Sequence, residues 1–217
     1  MIPIQKLHNK SIGPFRISVT QIKPLKLHGW FGFELKLFNS KGEISKTPVA
    51  KGIYSKGRGS EIAPWIDFNL RQKIQWPRGE INLRCEGLLT RACREISKVI
   101  PPGGHLMVSY EDPFPLHQET AAALSKGIPP ILSPLGRILF ECGFVKIKDW
   151  YLSESGHEGP RKLWAEKPPD KSWEKAWHRE VLDELDSFLG KKRKRSLHSE
   201  TLEFCDVMRY KLGSELQ

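Results

Sequence analysis

The apolar period changes once along the chain, at about residue 83. Before that point apolar residues alternate with polar ones; after it they recur every third or fourth position. A period of two buries one side of a strand, and a period near 3.6 buries one side of a helix. The chain must therefore fold as an antiparallel meander followed by alternating helices and strands. In 15–22 (FRISVTQI), Phe15, Ile17 and Val19 share one face, and Pro24 ends the run. In 30–38, Phe31, Phe33, Leu35 and Leu37 share a face, and Asn39 to Gly42 is a turn. A weaker strand covers 48–55, and 62–70 follows with Ile66, Phe68 and Leu70 on one side.

Beyond the change, Leu88, Leu89, Ala92, Cys93, Ile96, Val99 and Ile100 mark an amphipathic helix over 84–99. Pro101-Pro102-Gly103-Gly104 stops it, and 105–111 is a strand. A short alanine-rich helix over 116–125 precedes a second one that starts at Ser133-Pro134, with serine as N-cap and proline in the first turn. Gly143 closes this helix in the left-handed region. Residues 144–151 and 161–166 form a hairpin. Trp173, Trp177, Val181, Leu185 and Leu189 mark a helix over 171–189 that Gly190 should end, and Phe204, Met208 and Leu212 mark another.

The order is β-β-β-β-α-β-α-β-β, then two helices. This predicts an α/β (α+β) body with a mixed, mostly antiparallel sheet over 15–167. Residues 1–14 form an N-terminal segment and 168–217 a helical extension. Strands 62–70 and 105–111 should run parallel across helix 84–99.

Charge narrows the partners. The net charge is +10, and residues 1–60 alone carry +9. Lys191, Lys192, Arg193, Lys194 and Arg195 add a second positive cluster. Such a field favours polyanions, either nucleic acid or a phosphate-rich cofactor. Four scattered cysteines and seven histidines without paired spacing form no disulfide scaffold and no metal site. No apolar run reaches a membrane span, and the first residues lack a secretory h-region, so a cytoplasmic protein is expected. Nothing in the sequence sets an oligomeric state.

This order resembles the GNAT superfamily of N-acetyltransferases. There a meander leads into the helix that binds coenzyme A phosphates, then a strand, a helix and a closing hairpin. The superfamily's pyrophosphate loop reads Gln/Arg-x-x-Gly-x-Gly/Ala. Arg84 and Gly87 in Arg84-Cys85-Glu86-Gly87-Leu88-Leu89 match it, and Leu89 departs. The resemblance implies acetyl-CoA or another acyl-CoA as cofactor, with pyrophosphate at the amides near Gly87 and Leu88 and with Arg84 beside it. It also places a tyrosine acid in a Tyr-x-x-x-Gly-Phe motif. Here Leu139 and Phe140 precede Gly143-Phe144, and neither can donate a proton.

A more specific resemblance rests on Pro102-Gly103-Gly104-His105-Leu106-Met107-Val108, Tyr110-Glu111, Pro134-Leu135-Gly136, Asp149-Trp150-Tyr151 and Glu158-Gly159-Pro160. These runs are similar to an archaeal and bacterial family known only as a domain of unknown function with an acetyltransferase-like fold. Its resemblance implies the fold and no catalytic residues.

Within such a layout, Tyr110 and Glu111 close strand 105–111 where acyl donor and acceptor would meet. Glu111 would be the general base for an amine. Asp67 and Asn69, on one face of 62–70, would orient that amine. His157 and Glu158 make a second acid–base pair in the hairpin turn. A coenzyme-A-dependent N-acyltransferase, or a relative that keeps the fold without the reaction, is the first expectation.

The alternative is an RNA- or DNA-binding protein. It would use Trp30, with Phe38 and Tyr54, as base stackers and the run 191–195 as phosphate contacts. A Rossmann-like methyltransferase, suggested by the Pro-Gly-Gly turn before a strand, is a second alternative. It lacks the Gly-x-Gly-x-Gly that would hold S-adenosylmethionine.

Overall fold

The computed structural model describes residues 3–26, 29–57, 65–71, 73–83, 88–110, 115–150, 161–192 and 199–216. Ten strands and five α-helices lie in these segments, with 3-10 turns at Pro3–Leu7 and Pro130–Leu132. The strands are β1 (Ser11–Ile12), β2 (Phe15–Pro24), β3 (Trp30–Phe38), β4 (Ala50–Ser55), β5 (Trp65–Leu70), β6 (Lys73–Trp76), β7 (Gly79–Asn82), β8 (His105–Ser109), β9 (Lys146–Trp150) and β10 (Lys162–Glu166). The helices are α1 (Leu88–Lys98), α2 (Pro115–Ser125), α3 (Pro134–Glu141), α4 (Lys171–Lys192) and α5 (Ser199–Leu216).

Eight strands form one sheet in the order β1-β2-β3-β4-β5-β8-β10-β9. Every described pairing in it is antiparallel except β5 with β8, which run parallel as the change of period predicts. β10 lies between β8 and β9 and pairs antiparallel with both. A sheet this antiparallel departs from the doubly wound parallel sheet of a Rossmann-like methyltransferase.

The element order corrects the expectation in two places. The two-residue β1 is an added edge strand. β6 and β7 form a separate hairpin between β5 and α1. The two helices expected between β8 and β9 are α2 and α3. The β6–β7 hairpin docks beside the meander. The Gln75 amide donates to the Thr47 hydroxyl at 2.8 Å, and Trp76 packs on Phe15 with ring centroids 5.0 Å apart.

Register sorts the sheet into two faces. One face carries Ile17, Phe33, Leu35, Tyr54, Ile66, Leu106, Val108, Leu163, Ala165 and Ile147, all buried. Ala92, Cys93 and Ile96 of α1 and Leu135, Leu139 and Phe140 of α3 join them in one core. The first residues belong to this core as well, because Ile4, Leu7 and Ile12 are buried in it. The opposite face is polar and aromatic. Its described side chains stay partly exposed, except Ser55, Met107 and Ser109, which are buried.

α4 and α5 pack on each other, and Leu185, Phe188, Cys205, Met208 and Leu212 are buried along them, while Trp177 and Val181 line a cavity against β9. Trp173, expected on this stripe, is exposed. Gly190 does not end α4, which runs on to Lys192. Glycine weakens a helix interior by about 1 kcal/mol, and the burial of Phe188 beside it outweighs so small a penalty.

Candidate functional site

The parallel ladder between β5 and β8 is short. It runs from Trp65 opposite His105 to Phe68 opposite Val108, and there it stops. Both strands continue. β5 stays paired with β4 as far as Leu70 opposite Ala50. β8 stays paired with β10 as far as Ser109 opposite Lys162, and the Tyr110 amide still donates to the Arg161 carbonyl at 3.1 Å. The parallel ladder thus ends near the centre of the sheet, a split in the pairing with Asn69 and Leu70 on one lip and Ser109 and Tyr110 on the other. Backbone groups facing such a split need partners other than the sheet.

Tyr110 is buried at this lip, and its hydroxyl donates to a carboxylate oxygen of Asp149 on β9. Burial first, and then the bond to Asp149, push the hydroxyl well above the ordinary tyrosine range. It remains a phenol with its proton directed at Asp149, a role that fixes β9 against the end of β8. Glu111, the next residue, lies outside the described residues.

Other nominated residues are scattered. Register places Asp67 opposite Met107 on the open face of the sheet, and Asn69 two positions further on at the split. Leu88 opens α1, while Arg84 and Gly87 lie outside the described residues. Trp30 begins β3, half-buried and opposite Ser55. Tyr54 faces the core and stacks on Phe31, which removes it as a base stacker. Lys191 and Lys192 form the last two positions of α4. Arg193, Lys194, Arg195, His157 and Glu158 lie outside the described residues.

The Cys93 thiol is not poised as a nucleophile. Cys93 is buried in the core, and its hydrogen bond with Cys142, together with burial, holds it protonated well above the ordinary range. Among the described residues no group of three or more His, Cys, Asp and Glu side chains is arranged to hold a metal. No described helix is long and apolar enough to cross a membrane. A cavity of about 520 Å³ lies between β9 and α4, with Asp149 in its lining. Lys146 lies there over the Trp177 ring at 5.1 Å, and desolvation raises the Glu184 carboxyl.

Sequence reasoning missed the aromatic cluster on the open face. His105 lies 4.7 Å from Trp164, and Trp164 lies 6.2 Å from Trp150, centroid to centroid. The signal was present. Trp150 and Trp164 hold the polar phase of their strands, opposite to the phase of Ile147 and Leu163.

The split sheet with its helix-packed core defines an α+β domain built around one parallel strand pair. The chain belongs to the family described as "Protein of unknown function (DUF1122)", whose model matches residues 14–192. Its fold is similar to the crystal structure of a protein of unknown function, AQ1966, from Aquifex aeolicus VF5. That match has a TM-score of 0.70 and 22% identity, and it covers 98% of this chain and 100% of the other. No curated protein matches the chain.

Proposed function

We propose that the chain is a GNAT-like protein that binds an acyl-coenzyme A in the split between β5 and β8 and transfers the acyl group to an amine. The observation that carries this reading is the ladder that ends at Phe68 and Val108 while both strands run on. An extended chain bearing amides suits such a split, because it meets backbone donors and acceptors in the manner of an added strand. The pantetheine arm of coenzyme A is such a chain. The β10 strand lying between β8 and β9 supports the same family likeness.

A bound acyl thioester supplies an activated carbonyl. The chain's own contribution is to bind and to move one proton. The amides near Gly87 and Leu88, with Arg84, take the pyrophosphate at the start of α1. Asn69 orients the amine at the lip, and Glu111 takes the proton that the amine loses on forming the amide bond. Leu139 and Phe140 offer no acid. The departing thiolate needs little assistance, so water can protonate it.

Calorimetric titration with acetyl-coenzyme A tests the reading. Saturable binding is expected, weakened about tenfold by Arg84→Ala, since a charge-assisted contact to phosphate is worth about 1.5–3 kcal/mol. Glu111→Gln should abolish turnover and leave binding intact. Binding without turnover in the wild type identifies a relative that has lost the reaction. Absence of heat at millimolar ligand overturns the reading.

A further inference from the structure

The open face of β8, β10 and β9 forms a nine-residue grid. Register places His105, Met107 and Ser109 beside Glu166, Trp164 and Lys162, and these beside Lys146, Lys148 and Trp150. His105, Trp164 and Trp150 form a continuous aromatic band across the three strands, and all three remain partly exposed. Lys148 and Lys162 flank the band, while Lys146 turns its ammonium over the Trp177 ring. The one acid in the grid, Glu166, accepts the Trp164 indole N–H at 3.1 Å. The His105 Nδ1 is buried with no hydrogen-bond partner among the described residues, and its ring is tilted 40° to that of Trp164.

Two features choose the occupant. Flat aromatic rings standing on a sheet offer faces to bases, and every base has a face to offer in return. Lysine is depleted in protein–protein interfaces, where it would be desolvated, but it suits phosphate. With the Lys146 ammonium turned to Trp177, the grid offers Lys148 and Lys162 against Glu166, in a chain of net charge +10. Charge complementarity therefore favours a polyanion over a protein.

We propose that this face binds single-stranded nucleic acid, with bases stacking on Trp150 and Trp164 and phosphates meeting Lys148 and Lys162. The site lies on the surface of the sheet, and of its nine residues Ser109 alone belongs to the lip of the split. It moves the stacking residues from Trp30, Phe38 and Tyr54 at one side of the sheet to Trp150 and Trp164 at the other. RNA and DNA share this chemistry, and a contact to the 2′-hydroxyl would separate them.

The test uses the full chain and fluorescently labelled 12-nucleotide RNA and DNA of mixed sequence, followed by anisotropy at low salt. Both single strands are expected to bind more tightly than a duplex of the same length. Trp150→Ala and Trp164→Ala should each weaken binding about fivefold or more, as loss of a stacked base implies. Trp164→Phe should restore most of that loss. Lys148→Gln should lower the log–log salt slope by about 0.7, the value for one single-strand phosphate contact. Thermal melts report whether each variant is folded. Should Trp164→Ala unfold, Trp150→Ala and Lys148→Gln, at the strand edge, carry the test.

No binding at low salt overturns the proposal. Binding that ignores Trp150→Ala and Lys148→Gln also overturns it and assigns the affinity to the basic segments elsewhere, residues 1–60 or the run 191–195. Acetyl-coenzyme A titrated into the same variants should bind as to wild type, so failure here is distinct from failure of the acyl-coenzyme A reading.

Discussion

His105 begins the central parallel pair and packs its ring on Trp164. Burial lowers its pKa below the ordinary histidine value, with a smaller opposing pull from Glu166. The unfolded chain then binds a proton, near pH 6.5, that the folded chain refuses. Stability from this group is fully present above that pH and is lost as pH falls through the lowered value. His105→Phe keeps a ring against Trp164 and removes the titration. The urea midpoint of the wild type should fall between pH 7 and pH 5 by more than that of His105→Phe. Equal falls would mean that His105 does not contribute to acid sensitivity.

Among the elements, α3 shows how tightly one start signal can be built. The Ser133 hydroxyl accepts from the Gly136 amide at 3.2 Å and donates to the Pro130 carbonyl at 2.6 Å. It thereby joins the 3-10 turn to the helix. Gly136 lies against that turn, and a Cβ there would stand 1.9 Å from the Pro130 oxygen. Neither backbone can yield without breaking the cap. Ser133→Ala should cost about 1 kcal/mol and Gly136→Ala about 3 kcal/mol in urea denaturation. A neutral Gly136→Ala would show that the turn can move away from α3.

The same elements show what could be read from the sequence. Ser133, Pro134 and Gly143 announce α3 because capping chemistry is local, and Gly143 does sit at φ 89°. The parallel pair was legible because a helix separates two apolar strands. The β6–β7 hairpin was not, because four-residue strands give too few alternations to stand above chance. α4 outran Gly190 because tertiary packing overrides a weak propensity. The candidate site was legible only as a place. Alternation said which strand ends would meet, but the tie from Tyr110 across β10 to Asp149 joins residues 39 apart. No local pattern encodes a contact of that kind.

Over the whole molecule the core is continuous from the first turn to the last helix, so the three segments drawn from the sequence pack as one. The family match ends at residue 192, the last residue of α4, and leaves α5 outside it. Yet α5 buries Cys205, Met208 and Leu212 against the apolar side of α4. It also reaches α3. Arg137 lies 4.5 Å from the Phe204 ring, and Lys211 lies 5.2 Å from the Phe140 ring. Burying three apolar side chains of this size contributes roughly 5 kcal/mol, a large share of the 5–15 kcal/mol that holds a typical domain together. A chain shortened to residues 1–192 uncovers the side of α4 on which α5 packs. Such a stripe seeks a second copy of itself. The shortened chain should melt well below the full chain and elute as a dimer or larger species in light-scattering chromatography. A monomer with an unchanged melting temperature would show that α4 needs only the sheet and α3 to cover it, and that α5 adds nothing to the fold.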